Sequence, residues 1–283
     1  MFNKRHIVRT IAATVSILAL SFTAACGSGQ STASNSTDSD DITQQTYKPG
    51  KLTIATGQPW VMNDKPESGE GYEAAVAYAV ADKLGFKKSD VVWTRTAFDT
   101  AIAPGAKDWD FNIQQFGITD ERKKAVDFSS SYYNDSQSVV VKKDSKFANA
   151  TKVSDLKDAT VGVMVGTLAY DYAKANIKDD IQTFNDDAAL AQALDAGQID
   201  ALVTSTVECV YMVQSEQVKD AKVLGRLPDS EDKSGMGIVL PKDSKLTAAV
   251  TKAVDDLNAD GTIKKLQDKW LAEYTTDLTE LKK

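Results

Sequence analysis

The sequence predicts an α/β protein built from two similar units. Short apolar segments with the composition of buried strands alternate with longer segments in which apolar residues recur every three or four positions. This alternation begins at residue 51 and starts again at Ser136, which indicates two α/β units in one chain. Glycine or proline follows many of the apolar segments, as expected where strands and helices end in loops.

The first unit opens with a strand, an amphipathic helix and a second strand, predicted at 51–55, 71–84 and 91–93. Gly85 directly follows the helix, as is common at a helix C-terminus. The loop after the first strand carries Trp60, and ligands of open α/β sheets bind at the C-terminal ends of strands. Trp60 is therefore placed to cover a ligand, although core packing or a loop anchor fits its residue type equally well.

The stretch 110–133, DFNIQQFGITDERKKAVDFSSSYY, carries the most informative pattern in the chain. Its apolar part at 111–116 predicts a strand that runs out into a loop at Gly117. Thr119 lies three residues before Arg122, with two acids between them, which is the composition of a first helical turn. The pattern predicts a strand, a loop and a fixed arginine close together.

Arg122 is a candidate anion-binding residue, because the planar guanidinium suits a carboxylate better than a lysine does. A surface arginine paired with Asp120 or Glu121 is the more common situation for an isolated residue of this kind. The choice between the two depends on the surrounding sequence.

The second unit contains strands predicted at 139–142, 160–165 and 199–203, with helices that begin near 153, 167 and 187, and the segment at 223–227 returns toward the first unit. Gly166 and Thr167 open one of these helices, and a helix N-terminus offers free N–H groups to an anion. A strand at 235–240 follows, and then two helices with apolar stripes on either side of Gly261 complete the first unit.

Three segments resemble the substrate-binding proteins of polar amino acid ABC transporters. They are the glycine-aromatic-acid start of the helix at 71–73, the segment ALDAGQIDALV at 193–203, and the family pattern matched by Asp110, Ile118, Thr119, Arg122, Phe128, Ser129, Tyr132 and Tyr133. The resemblance covers the whole mature chain. It implies a two-lobed periplasmic-binding-protein-like α/β fold of type II, with two hinge crossings near 132–136 and 229–233 and a ligand cleft between the lobes. Lobe 1 is then 48–132 plus 234–283, and lobe 2 is 137–228.

The resemblance also assigns roles in the cleft. Arg122 inherits the contact with the ligand's α-carboxylate, and Gly166 and Thr167 would meet the same group from the second lobe. Trp60 and Phe98 match two family aromatics that face the ligand.

Two positions depart from the family pattern. Gln115 and Gly117 stand where the family has a small residue and then a hydroxyl, so we expect only backbone contacts there. Ser205 stands where the family has the acid that holds the ligand's α-ammonium, and Glu208 is the nearest carboxylate. Either Glu208 takes over the ammonium, or the ligand is not an ordinary free α-amino acid.

The N-terminus predicts export. Residues 1–25 combine a basic start with a short apolar run, which is typical of a signal peptide, and the segment before Cys26 resembles a lipoprotein cleavage site. We expect Cys26 to be lipidated and 26–47 to be a flexible polar tether, which gives an extracytoplasmic, membrane-anchored protein. Ordinary cleavage that leaves Cys26 as a free thiol is the alternative.

Composition excludes several functions. The formal charge of −7 becomes −10 once the signal and its three basic residues are removed, so nucleic acid is not an expected partner. His6 is the one histidine and leaves with the signal, and Cys209 is the one cysteine besides Cys26. We therefore expect no metal, no cofactor and no catalytic triad.

The function that we predict is capture of an amino acid, or a related small carboxylate, by a monomer that delivers it to the permease of an ABC transporter. An enzyme on the same scaffold, similar to a dehydratase, is the alternative, with Glu73 or Glu208 as a possible acid. A sensory module would carry an appended signalling segment, which we do not expect here.

Overall fold

The computed structural model describes residues 41–57, 62, 65–275 and 278–283. The predicted signal peptide, Cys26, most of the predicted tether and Trp60 lie outside these residues. Within the described ranges, no helix combines the length and the hydropathy that a bilayer span requires.

The first sheet has five strands in the order β2-β1-β3-β10-β4. Their bounds are β1 Leu52–Thr56, β2 Val91–Arg95, β3 Phe111–Asn112, β4 Val126–Tyr133 and β10 Met236–Pro241. β1 runs parallel to β2 and β3, whereas β10 runs antiparallel to β3 and β4. The carboxyl ends of β1 and β3 therefore lie at one edge of the sheet, where ligands of α/β proteins bind.

Helices cover both faces of this sheet. The larger core lies under α1 Tyr72–Lys83, α6 Thr247–Ala259 and α7 Thr262–Trp270, where Leu52, Tyr72 and Ile238 are fully buried. A smaller core on the other face packs α2 Phe98–Ile102 against Trp109 and Phe116.

The second sheet has the same number of strands, in the order β7-β6-β8-β5-β9. The bounds of its elements are β5 Gln137–Lys142, β6 Val161–Met164, α3 Leu168–Asn176, β7 Ile181–Phe184, α4 Asp187–Asp195, β8 Ala201–Ser205, α5 Thr206–Gln214 and β9 Ala221–Arg226. β6 runs parallel to β7 and β8, and β5 runs antiparallel to β8 and β9. One apolar cluster covers each face, so this half has its own core.

Successive strands lie in different sheets at two places, between β4 and β5 and between β9 and β10. The crossings are hydrogen-bonded to each other, because the Asp232 amide donates to the Asp135 carbonyl at 2.9 Å and the Gln137 amide donates to Ser230 Oγ at 3.0 Å. We call the half that contains the first sheet lobe 1 and the other half lobe 2. The architecture is the two-lobed α/β arrangement that the sequence predicts.

Two local predictions are wrong. The strand predicted at 111–116 ends at Asn112, because the chain turns out of the sheet at Gln115, whose φ is 56°. The last residues were assigned to lobe 1, whereas Glu280 forms a bridge with Arg226 of lobe 2 and Leu281 is buried in the lobe 2 core. The exposed edge of β9 provides the unpaired backbone groups that hold this tail.

Candidate functional site

A cavity of about 710 Å³ lies where loops of the first sheet meet α3, α4 and α5 of the second. Seven of the residues that the sequence nominated line it, namely Phe98, Gln115, Gly117, Arg122, Thr167, Ser205 and Glu208. Gly166 does not line the cavity, but its carbonyl accepts a hydrogen bond from Arg122. Trp60 lies outside the described residues.

Arg122 joins the two lobes at the cavity. Its Nη1 donates to the Gly117 carbonyl at 2.7 Å, and its Nη2 donates to the Gly166 carbonyl at 2.8 Å. Burial lowers the pKa of Arg122, an effect that Asp171 and Asp232 oppose. A guanidinium has five N–H donors, so the two bonds to carbonyls leave further donors for an anion in the cavity.

Phe98 supports this guanidinium from one side. The Arg122 Cζ atom lies 5.5 Å from the centroid of the Phe98 ring, and Phe98 is itself stacked on Phe116, with the ring centroids 4.6 Å apart. A cation over an aromatic face is a favourable arrangement. Phe98 is the first residue of α2, so both the ring and the cation that it carries are fixed by the smaller core of lobe 1.

A buried acid holds Gln115 in its left-handed conformation. The Gln115 amide donates to Glu73 Oε1 at 2.7 Å and to the Tyr132 hydroxyl at 3.2 Å, while the Tyr132 hydroxyl also bonds to Glu73 Oε1. Glu73 is fully buried and does not line the cavity. Its carboxylate therefore shapes the loop at the end of β3 rather than offering an acid to a substrate.

Gly117 of lobe 1 lies close to Leu168 of lobe 2 and to Asp232 of the second crossing. A Cβ atom at this position would lie 2.6 Å from Leu168 Cδ1 and 2.8 Å from Asp232 Oδ2. A side chain at this position would require Leu168 and Asp232 to move. Gly117 lines the cavity without a side chain, so only its backbone groups can face a ligand.

Thr167 caps helix α3. Its hydroxyl donates to the Met164 carbonyl at 2.8 Å and accepts from the Tyr170 amide at 3.2 Å. Because the hydroxyl is occupied, the groups available to an anion are the backbone N–H groups of the first turn, which lack partners within the helix.

Ser205 has the corresponding role at helix α5. Its hydroxyl accepts from the Glu208 amide at 3.4 Å, and it lies at the N-cap position of the helix. Glu208 follows one turn later, only 6% exposed, with Oε2 3.5 Å from Thr204 Oγ1. Burial, together with the charge of Asp187, raises the pKa of Glu208 well above its usual value.

Sequence reasoning missed Asp187 as a site residue. The run Asn185–Asp186–Asp187 was interpreted only as a helix cap, but Asp186 alone provides the cap by accepting from the Ala189 amide at 2.7 Å. Asp187 lines the cavity, and burial raises its pKa to about 6. The doubled acid was the available signal, because a helix needs only one capping side chain.

Acids outnumber cations around the described cavity. The lining contains five carboxyl side chains and two guanidinium groups, namely Asp99, Asp186, Asp187, Glu208 and Asp232 against Arg95 and Arg122. This balance suits a ligand with at least one cationic group in addition to a carboxylate. Among the described residues, no cluster of three or more His, Cys, Asp or Glu side chains is arranged to hold a metal ion.

The family model of the bacterial extracellular solute-binding proteins, family 3, matches residues 52–273, which is most of the chain and includes both lobes. The chain belongs to this family.

Individual relatives agree with the family assignment. The L-cystine-binding protein TcyJ of Escherichia coli K12 is 31% identical over 209 residues, which cover 73% of this chain and 76% of that protein. The L-arginine-binding protein of Pseudomonas aeruginosa is 29% identical over 242 residues, covering 80% and 88% of the two chains. An ancestral arginine-binding protein bound to arginine has a similar structure, with a TM-score of 0.67 and 31% identity over 78% of this chain and 98% of that one.

These relatives are named as binding proteins rather than enzymes, and this family member is likewise a solute-binding protein with the two-lobed fold of its relatives. Members of the family act outside the cytoplasm.

Proposed function

We propose that the protein captures a zwitterionic amino acid in the cavity between its lobes and delivers it to the permease of an ABC transporter. The observation that carries this proposal is the pairing of a fixed cation, Arg122, with two carboxyl groups, those of the half-buried Asp187 and the buried Glu208, in one cavity. A free amino acid has the complementary pair of charges. The relatives described above are named for cystine and arginine, which are both amino acids.

The α-carboxylate would bind to Arg122 and to the backbone N–H groups at the start of α3, behind Thr167. Because Arg122 lies on lobe 1 and the N-terminus of α3 lies on lobe 2, a carboxylate bound to both would hold the two lobes together. Backbone groups of Gly166 from lobe 2, and of Gln115 and Gly117 from lobe 1, would also contact the ligand. Phe98 would pack on the ligand, with Trp60 as the second aromatic.

The α-ammonium would bind at Glu208, because Ser205 uses its hydroxyl to cap α5 and has no charge to offer. An ammonium that is buried without an anionic partner costs several kcal/mol, which corresponds to at least about a hundredfold in affinity. Glu208 lies on the same helical turn and supplies the missing charge.

Ligand binding would close the two lobes about the crossings at 134–136 and 227–235. We assign residues 48–132 and the segment from 234 to α7 to lobe 1, and residues 137–228 with the tail at 279–283 to lobe 2. A hinge of short connections between compact lobes suits closure around a small ligand.

The mature protein would be a monomer anchored by a lipid on Cys26, with 26–47 as the tether. Metabolic labelling with a palmitate analogue tests the anchor, with Cys26→Ala as the control. Label on the wild type and none on the variant is the expected result, whereas equal labelling of the two contradicts lipidation at Cys26.

A thermal-shift screen of the twenty amino acids, L-cystine and simple dicarboxylates tests the function. A ligand present at a hundred times its Kd adds about 2.7 kcal/mol to the free energy of unfolding, which is a readily measured shift. The excess of acids predicts larger shifts with cationic or neutral amino acids than with aspartate or glutamate. Shifts with dicarboxylates alone, or with no compound, would contradict the proposal.

A further inference from the structure

Asp187 and Glu208 come from different helices and present their carboxyl groups to the same part of the cavity. Asp187 is the first residue of α4, and Glu208 is the third residue of α5. Within the described part of the chain, Asp187 Oδ1 is buried and has no hydrogen-bond partner. A buried polar atom of this kind costs free energy unless a ligand satisfies it.

Two carboxyl groups in such a place cannot both be ionised without a counterion. Burial raises the pKa of both groups. The two carboxyl groups are also hydrogen-bonded to each other, and this contact raises the pKa of Glu208 further while it lowers that of Asp187, so one proton remains on the pair. Among the neighbouring groups the Thr204 hydroxyl lowers the pKa of Glu208 through a hydrogen bond, but none of these groups carries a positive charge. They are Asp186 on α4, Asp135 at the hinge, the Cys209 thiol on α5, and the hydroxyls of Thr204 and Ser205.

Asp135 is a third carboxyl group in this region, and its charge also raises the pKa of Glu208. It accepts from the Ser136 amide at 2.8 Å and from the Val207 amide at 3.3 Å, and burial raises its pKa to about 6. The nearby cation of the cavity, Arg122, interacts instead with Asp171 and Asp232. A cationic group from outside the protein is therefore what the pair lacks.

We infer that Asp187 and Glu208 share one proton in the ligand-free protein, and that an amino acid expels this proton when its α-ammonium binds between the two carboxyl groups. The O–H bond of the protonated carboxyl breaks, the proton passes to the solvent, and both electrons stay on oxygen. One positive charge leaves as another arrives, so the net charge of the pair is the same before and after binding.

The inference rests on the proposed function for its ligand, and it adds that binding depends on pH through these two residues. Release of one proton makes the affinity rise by up to about tenfold per pH unit. A carboxyl group with an ordinary pKa is already ionised at neutral pH, so it would release almost no protons when an ammonium binds.

The first experiment is calorimetric titration with L-arginine at pH 7 in buffers that differ in ionisation enthalpy. We expect release of close to one proton by the wild type, and an affinity that rises from pH 5.5 to pH 7.5. Asp187→Asn and Glu208→Gln should each release less than half of that amount and have a flatter pH profile. Asp255→Asn, which makes the same change on the exposed face of α6, should behave as the wild type.

The second experiment needs no ligand. A raised carboxyl pKa in the folded state contributes stability at low pH that is lost as pH rises through the folded pKa. Asp187→Asn should therefore melt at a higher temperature than the wild type at pH 8, and the difference should shrink by pH 4.5. Asp255→Asn should show no such change.

The outcomes separate the two proposals. L-Arginine binding without proton release, or with the same release in all variants, overturns this inference and leaves the proposed function intact. If L-arginine does not bind, the inference that its α-ammonium expels the proton is overturned, and the thermal-shift screen decides the function independently. Equal melting temperatures of wild type and Asp187→Asn at pH 8 overturn the shared proton.

Discussion

Gln115 has an unusual backbone conformation among the residues of the cavity. A positive φ in a residue with a side chain is uncommon and costs of order 1 kcal/mol or more. The conformation persists because Glu73 accepts the Gln115 amide and is itself fixed by the Tyr132 hydroxyl. The ligand-facing loop of lobe 1 is thus held by a hydrogen-bond network that lies entirely behind the cavity.

Tyr132→Phe tests this network. The change removes the bond to the buried Glu73 carboxylate and the second acceptor of the Gln115 amide without altering the shape of the ring, so the free energy of unfolding should fall by about 1–3 kcal/mol. Ligand affinity should fall as well, because Gln115 loses part of its support. Chemical denaturation and calorimetry measure both effects.

Tyr47→Phe is the matched control, since Tyr47 is 52% exposed. If Tyr132→Phe is no less stable than this control, the network does not hold the loop.

Single residues were predictable from the sequence where a local motif fixes them. Arg122 follows Thr119 at a spacing that sets the turn, and the structure has the Arg122 amide donating to Thr119 Oγ1 at 3.1 Å. Asp187 was not predictable, because its role depends on meeting Glu208 from another helix. Local patterns carry no information on such a meeting.

At the scale of elements, helix α5 shows how a cap and a binding group can lie on one turn. Ser205 ends β8 and caps the helix, and Glu208 at the third position points into the cavity. A serine in place of an acid at the cap keeps the helix start intact and moves the negative charge one turn along.

Ser205→Ala tests the division of these roles. Loss of an N-cap side chain should lower the free energy of unfolding by about 1 kcal/mol, and Ser205→Asn should restore most of it. Ligand affinity should change by less than threefold in the asparagine variant, because no charge is altered. A large loss of affinity in Ser205→Asn would instead make the hydroxyl a direct ligand contact.

Elements with strong periodicity were predicted well. The helix predicted at 71–84 is α1 Tyr72–Lys83, and the apolar stripes around Gly261 are α6 and α7. β7 and α2 were missed, because β7 is half exposed and lacks a buried apolar run and α2 is only five residues long. The long strand β4 was also missed, since its serines mask the alternation that marks a strand.

At the scale of the whole molecule, the two lobes meet at Gly117. Because Gly117 lies against Leu168 of lobe 2, a larger residue at this position should interfere with the contact between the lobes. Gly117→Ala should reduce ligand affinity at least tenfold, because the new methyl group opposes the close approach of the lobes, while stability without ligand changes less.

The double variant Gly117→Ala with Leu168→Ala supplies the control. Removing the Leu168 side chain makes room for the methyl group, so the two effects on affinity should not be additive. Additive losses would mean that Gly117 acts through its own loop rather than through the contact between lobes.

The lobe arrangement followed from the sequence because the α/β pattern restarts after the first crossing. The position of the tail at 279–283 could not be predicted from the sequence, because five residues carry no periodicity. It depends on the free edge of β9 and on a pocket for Leu281. Only the folded lobe 2 provides that edge and that pocket.

We propose that Arg122 of lobe 1 binds the ligand's carboxylate in the cleft. Calorimetry of the best amino acid from the screen with wild type, Arg122→Ala and Arg122→Lys tests it most directly. A charge-assisted pair in a closed cleft predicts at least about a hundredfold loss of affinity in Arg122→Ala, on the order of 3 kcal/mol, with poor rescue by lysine. If Arg122→Ala binds this amino acid with an affinity within threefold of the wild type, Arg122 does not hold the ligand's carboxylate.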